Sequence, residues 1–147
     1  MRLLARLTLV FVAFLPLLAG CGDRPVTLTA IPAFPEAITL APGASASADS
    51  LAGALQGAVG ADLTSDIRRY RLPAAAAWPE VERFYRETLE GAGWKAAPEL
   101  RTEGSAFNSA GWLRGAEAGE QVLLIGYAPN LADGAPLLIV ALFSKKS

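Results

Sequence analysis

A chain of 147 residues with a single cysteine and no histidine has few routes to chemistry. Without an imidazole there is no Ser-His-Asp or Cys-His nucleophile and no ordinary pH switch. The usual zinc ligand sets are excluded for the same reason. No calcium loop, phosphate-cradling Gly-rich loop or dinucleotide fingerprint occurs, so no metal or cofactor is expected. Glu87 and Glu90 have the spacing of a carboxylate pair on one helix face, but the surrounding arginines point to a solvated surface. Ser144-Lys145 has the residue types of a Ser-Lys dyad, at a terminus where no pocket would enclose it. These observations point to a non-enzymatic protein and leave Cys21 as the residue with a chemical fate to explain.

The residues before Cys21 supply that fate. Arg2 and Arg6 form a basic start, and Leu7 to Leu18 is apolar apart from Thr8 and Pro16. Small residues follow at once, the order of a secretory signal. The run is shorter than the ~20 residues a transmembrane helix needs, and Pro16 interrupts it. An exported chain with one thiol cannot form an internal disulfide, which leaves a reactive group unaccounted for. Leu18-Ala19-Gly20-Cys21 resembles the lipobox of bacterial lipoproteins. That resemblance implies cleavage between Gly20 and Cys21, acylation of the Cys21 thiol, and anchoring by two or three acyl chains on the extracytoplasmic side. One chain would hold only marginally, whereas several hold firmly. The alternatives are an ordinary signal peptide with an incidental cysteine, or an uncleaved anchor. In the enterobacterial scheme, aspartate directly after the cysteine retains a lipoprotein at the inner membrane. Here Gly22 takes that place and Asp23 follows, which leans toward the outer membrane where the source has two.

Cleavage would leave 127 residues, one domain's worth, and enough for a modest core without disulfide or metal support. Removing Arg2 and Arg6 from thirteen cations leaves eleven against fourteen acidic residues, a side-chain balance of −3. A mildly acidic chain without a basic cluster gives no reason to expect nucleic acid.

Prolines 25, 32 and 35 make residues 21–35 read as a semi-extended tether, with a single domain over 36–147. Ala37–Ala41 is a first short strand. Residues 43–60 are rich in Gly, Ala and Ser; Leu51, Leu55 and Val59 spaced by four, with Asp49 or Ser50 as N-cap, allow a weak short helix, and a mobile loop or loosely packed helical turn is the alternative. The Gly53/Gly57 spacing is that of a membrane-packing motif but lacks the apolar span that gives it meaning. Asp66–Leu72 alternates, with Tyr70 and Leu72 on one face and Arg69 and Arg71 on the other.

The clearest element is a helix over about 78–92, opened by Pro79. Val81, Phe84, Tyr85, Leu89 and Ala92 form its apolar stripe. Glu82/Arg86, Arg83/Glu87 and Arg86/Glu90 are potential i,i+4 pairs on its wet side, and Gly91 and Gly93 are its stop. Further strands are expected at 94–100, 110–115, 121–127 and 137–143. The last two are nearly continuous in apolar residues and therefore central, and short connections make neighbours antiparallel. The expected fold is α+β, one main helix on an antiparallel sheet of about five strands. The pattern from Val81 through Phe84-Tyr85 and Leu89 to Gly93-Trp94, followed by strands, resembles a recurrent small bacterial envelope domain. The resemblance implies architecture and no activity.

Trp78 and Trp94 bracket the helix, while Trp112 and Tyr127 fall on strands, where core filling is the plain expectation. The central strands are apolar on both faces, so the face away from the helix must be covered by residues 44–60, a ligand or a partner. Arg69, Arg71 and Arg114, with Trp112 and Tyr127, are the candidate binding surface there, since aromatics dominate recognition sites. The function expected is a membrane-anchored, non-enzymatic binding or accessory module contacting an envelope protein or peptide. Behind it stand a small-ligand or lipid-binding protein using the open sheet face and, further back, a hydrolase.

Overall fold

In the computed structural model, residues 24–60, 62–115, 120–129 and 134–146 are described. Gly20 and Cys21, and with them the cleavage site and the lipidation site, lie outside these residues. Six strands form one antiparallel sheet: β1 (Ile38–Leu40), β2 (Leu63–Arg71), β3 (Lys95–Ala96), β4 (Asn108–Arg114), β5 (Gln121–Ala128) and β6 (Leu137–Lys145). Their spatial order is β1-β2-β6-β5-β4-β3. Two helices, α1 (Ala46–Gly57) and α2 (Trp78–Gly91), complete an α+β fold. None of the described helices is long and apolar enough to cross a membrane.

β5 and β6 occupy the middle of the sheet because neither has a polar face to offer solvent. Every residue of β5 is buried, as are the first seven of β6. Their pairing sets Ile125 opposite Val140 and Leu123 opposite Leu142. Period-two alternation divides these side chains between two cores. Leu123, Ile125, Leu138, Val140 and Leu142 pack on the side of α2, with Val81, Tyr85 and Leu89. Val122, Leu124, Ile139, Ala141 and Phe143 face α1. Full burial of each large side chain stabilises by about 1.5–3 kcal/mol, so both faces require cover.

α2 matches its apolar stripe. Pro79 lies in its first turn, and Gly93 at φ 88° ends it. The Trp94 N–H then turns back to the Leu89 carbonyl at 3.0 Å. α1 decides between the helix and the loop left open over 43–60, in favour of the helix. Ser45, and not Asp49 or Ser50, is its N-cap, accepting from the Ala48 N–H at 3.3 Å. Asp49 instead accepts from the Gly43 N–H and pairs with Arg69. The buried positions are Ala48, Ala52 and Leu55. Alanines give little periodic signal, yet their small size lets a helix lie close on a sheet. Gly53 and Gly57 point to open space, so their spacing serves no packing contact in this domain.

The stretch expected as one strand over 94–100 pairs only at Lys95–Ala96, then tightens into a 3-10 turn at Pro98–Leu100. Pro98 has no N–H to continue a ladder. The turn lays Leu100 over Gly111 so closely that a Cβ there would come within 2.6 Å of the Leu100 Cβ.

The segment read as a tether is also corrected. Leu28 and Ile31 are buried in the α2-side core, with Val26 and Phe34 packed against it. The Val26 N–H donates to Gln121 Oε1 at 2.8 Å, and Gln121 Nε2 donates back to the Val26 carbonyl at 2.8 Å. The folded unit therefore begins near Val26. The prolines interrupt regular structure without keeping the chain off the core.

Two outcomes follow. Gln121→Ala strands buried polar groups and is expected to cost about 1–3 kcal/mol in urea unfolding, with limited proteolysis opening the chain before Phe34 first. Burial, and secondarily Tyr70, raise the Tyr85 phenol above its ordinary pKa of 10.0. A raised folded-state pKa contributes stability that is complete below about pH 10 and lost as pH rises past it. Tyr85→Phe should therefore flatten the alkaline loss of stability by up to about 1.4 kcal/mol per pH unit.

Candidate functional site

The five residues expected to frame one sheet face divide between two. Arg69 and Arg71 alternate with the buried Tyr70 and belong to the α1 face, where Arg69 Nε lies 2.7 Å from Asp49 Oδ1. Trp112 and Tyr127 belong to the α2-side core. Arg114, two positions after Trp112, shares its face, sits 6.0 Å from the Trp94 ring centroid and donates to the Ala92 carbonyl at 2.6 Å. A cation at the C-terminal end of α2 complements the helix dipole there. The Tyr127 hydroxyl donates to the buried Ala76 carbonyl at 2.8 Å. Strand parity thus keeps Arg114 from joining Arg69 and Arg71, and α1 closes the face they were to frame.

A different arrangement emerges beside α2. Between that helix and the β3–β4 edge lies a cleft of about 150 Å³, lined by Glu82, Arg86, Glu90, Pro98, Arg101 and Trp112 among others. Glu82 is one of its walls and only 9% exposed. Its carboxylate receives both terminal nitrogens of Arg101, which also binds Glu103. The i,i+4 pairs expected along α2 are absent among the described residues, since Glu82 turns to Arg101 instead. Arg86 remains exposed at the rim, with no ion pair among the described residues. Trp112 is 2% exposed, and its indole nitrogen has no hydrogen-bond partner. Glu87 and Glu90 stay on the solvent side, as their arginine neighbours suggested.

Glu82 is the site residue that the sequence reading placed on the wrong side. Trp78, Glu82, Tyr85 and Leu89 recur at offsets of four, three and four, which is the buried stripe of α2. The charge of Glu82 obscured that signal, and its partner Arg101 lies in an irregular segment nineteen residues on.

Size decides what the cleft can accept. Pockets that enclose a whole small ligand span about 300–1,000 Å³. A volume of about 150 Å³ corresponds to roughly five waters, room for one protruding side chain or a small acidic group. A single buried carboxylate held bidentately by arginine is occupied as an ion-pair acceptor, and no second buried carboxylate stands beside it. No family model, curated protein or solved structure matches this chain.

Glu82→Ala leaves Arg101 without its main partner. Because Arg101 is 44% exposed, the expected loss is about 1–2 kcal/mol, below that of a fully buried pair. A double-mutant cycle with Arg101→Ala measures the coupling. Trp112→Phe should change stability far less than Trp112→Ala, for which about 3–5 kcal/mol is expected.

Proposed function

We propose that this protein is a lipid-anchored envelope lipoprotein whose domain works as a binding or accessory module through contact with a protein or peptide. The acylated Cys21 would hold it on the extracytoplasmic side, at the outer membrane where the source has two. The observation that carries the contact reading is the α2 cleft: side-chain-sized, walled by the Glu82–Arg101 pair, with the Arg86 guanidinium at its rim. A guanidinium beside an apolar floor suits an acidic or carboxylate-bearing group on a partner.

The small-ligand reading rested on an open sheet face, and α1 removes that motive. The groove of about 650 Å³ along α1, between Leu51, Ala54 and Phe107, is open, and no charged side chain lines it among the described residues. A hydrolase would call for a pair of carboxylates in the cleft, and Glu82 is alone there in its burial.

The test is made in native membranes. Intact mass should show cleavage before Cys21 plus acyl chains, both lost in Cys21→Ser. A photo-crosslinker at Ala96, on the cleft edge, should give a discrete adduct that Arg86→Glu suppresses several-fold. The same probe at Gly53, on the outer side of α1, should not. Equal labelling from both positions, or an adduct indifferent to Arg86→Glu, would sink the assignment of the cleft.

A further inference from the structure

The absorbed tether has a consequence for how the protein meets its membrane, and it rests on the lipid-anchor reading of Cys21. Among the described residues, Val26 is the first pinned to the fold, by two hydrogen bonds to Gln121. Cys21 is only five residues before it. A fully extended chain reaches at most ~3.3–3.6 Å per residue, so Val26 stays within about 18 Å of the anchored residue. The headgroup layer itself occupies roughly 5–7 Å of each leaflet. A 15-residue tether would have let the domain tumble freely; five residues do not.

The pinned end is a defined part of the fold. Gln121 pairs with Arg114 and with Ser144, and Lys145 pairs with Leu63. That is one end of the sheet, and the Ala74–Ala75 turn beyond Arg71 lies at the other. Nine residues of β2 separate the two ends, about 30 Å at strand spacing. A cleft of about 180 Å³ opens at the pinned end, lined among the described residues by Arg24, Arg114, Glu120, Gln121, Ser144 and Lys145. Guanidinium and ammonium groups beside the Ser144 hydroxyl and the Gln121 amide suit a phosphate. Every phospholipid carries the group it would take.

We propose that the domain rests directly on the bilayer that holds Cys21, with the Arg24–Arg114–Lys145 cleft against the lipid phosphates and the Ala74–Ala75 turn pointing away. This orientation leaves the α2 cleft on the side of the domain, accessible to a partner in the same compartment.

The experiment uses the acylated mature protein in phosphatidylcholine vesicles that carry a contact-range quencher on the headgroup. With the Cys21 thiol acylated, an introduced cysteine at Lys146→Cys or Ala75→Cys takes a fluorophore alone. The expected result is quenching several-fold stronger at position 146 than at 75. Adding Arg24→Glu and Lys145→Glu should weaken the quenching at 146 several-fold. Equal quenching at 146 and 75 in the acylated protein overturns the proposal. Quenching at 146 that is indifferent to the charge reversals overturns the phosphate contact. Intact mass of the same sample reports acylation separately, so an unacylated chain sinks the anchor reading and this orientation with it. Equal quenching on an acylated chain sinks the orientation alone.

Discussion

The pairing of β5 with β6 is the constraint from which the rest of the architecture follows. Both strands are apolar on both faces, so their ladder is stable only between two covering layers. α2 supplies one with Val81, Tyr85 and Leu89, and α1 the other with Ala48, Ala52 and Leu55. β2 and β4 flank the pair and carry mixed faces, and the sheet then tapers to three residues in β1 and two in β3. Short edges limit the unpaired backbone offered to other chains.

Polar side chains in this fold mostly stitch segments that are remote in sequence. Gln121 ties the N-terminal segment to the base of the sheet across 95 residues. Tyr127 ties β5 to the turn before α2, and Arg114 ties β4 to the end of that helix. Arg69 joins β2 to the first turn of α1. Each sits at the margin of a core, where a polar tip reaches a partner while the stem or ring stays packed. This explains why the arginines and aromatics on the strands do not gather into one binding surface on a single face of the sheet.

The cleft beside α2 differs because its groups are not all used internally. Glu82 and Arg101 satisfy one another, while Arg86 and the Trp112 indole nitrogen retain donor capacity. Buried ion pairs add little net stability, since desolvation offsets attraction. Holding Glu82 in place is therefore better understood as shaping a wall than as strengthening the fold. The cleft walled by Glu82 lies on the flank of the domain, apart from the end of the sheet where Gln121 holds Val26.

Much of this was legible from sequence alone. The apolar continuity of 121–127 and 137–143 marked the central strands, the stripe of α2 marked its main cover, and alternation around Tyr70 marked the faces of β2. These are local periodicities, and local periodicity survives without knowledge of the fold. The lipobox resemblance is likewise local, and it stands as an expectation about residues outside those described. Tertiary structure decided the rest. Whether an Ala- and Ser-rich stretch becomes a helix depended on the apolar face waiting for it. Whether a proline-bearing segment becomes a tether depended on Gln121, far along the chain. Whether Glu82 faces water depended on an arginine in an irregular turn, and whether Arg114 could join Arg69 depended on register across four strands. In each case the deciding partner is distant in sequence, and only packing brings it near.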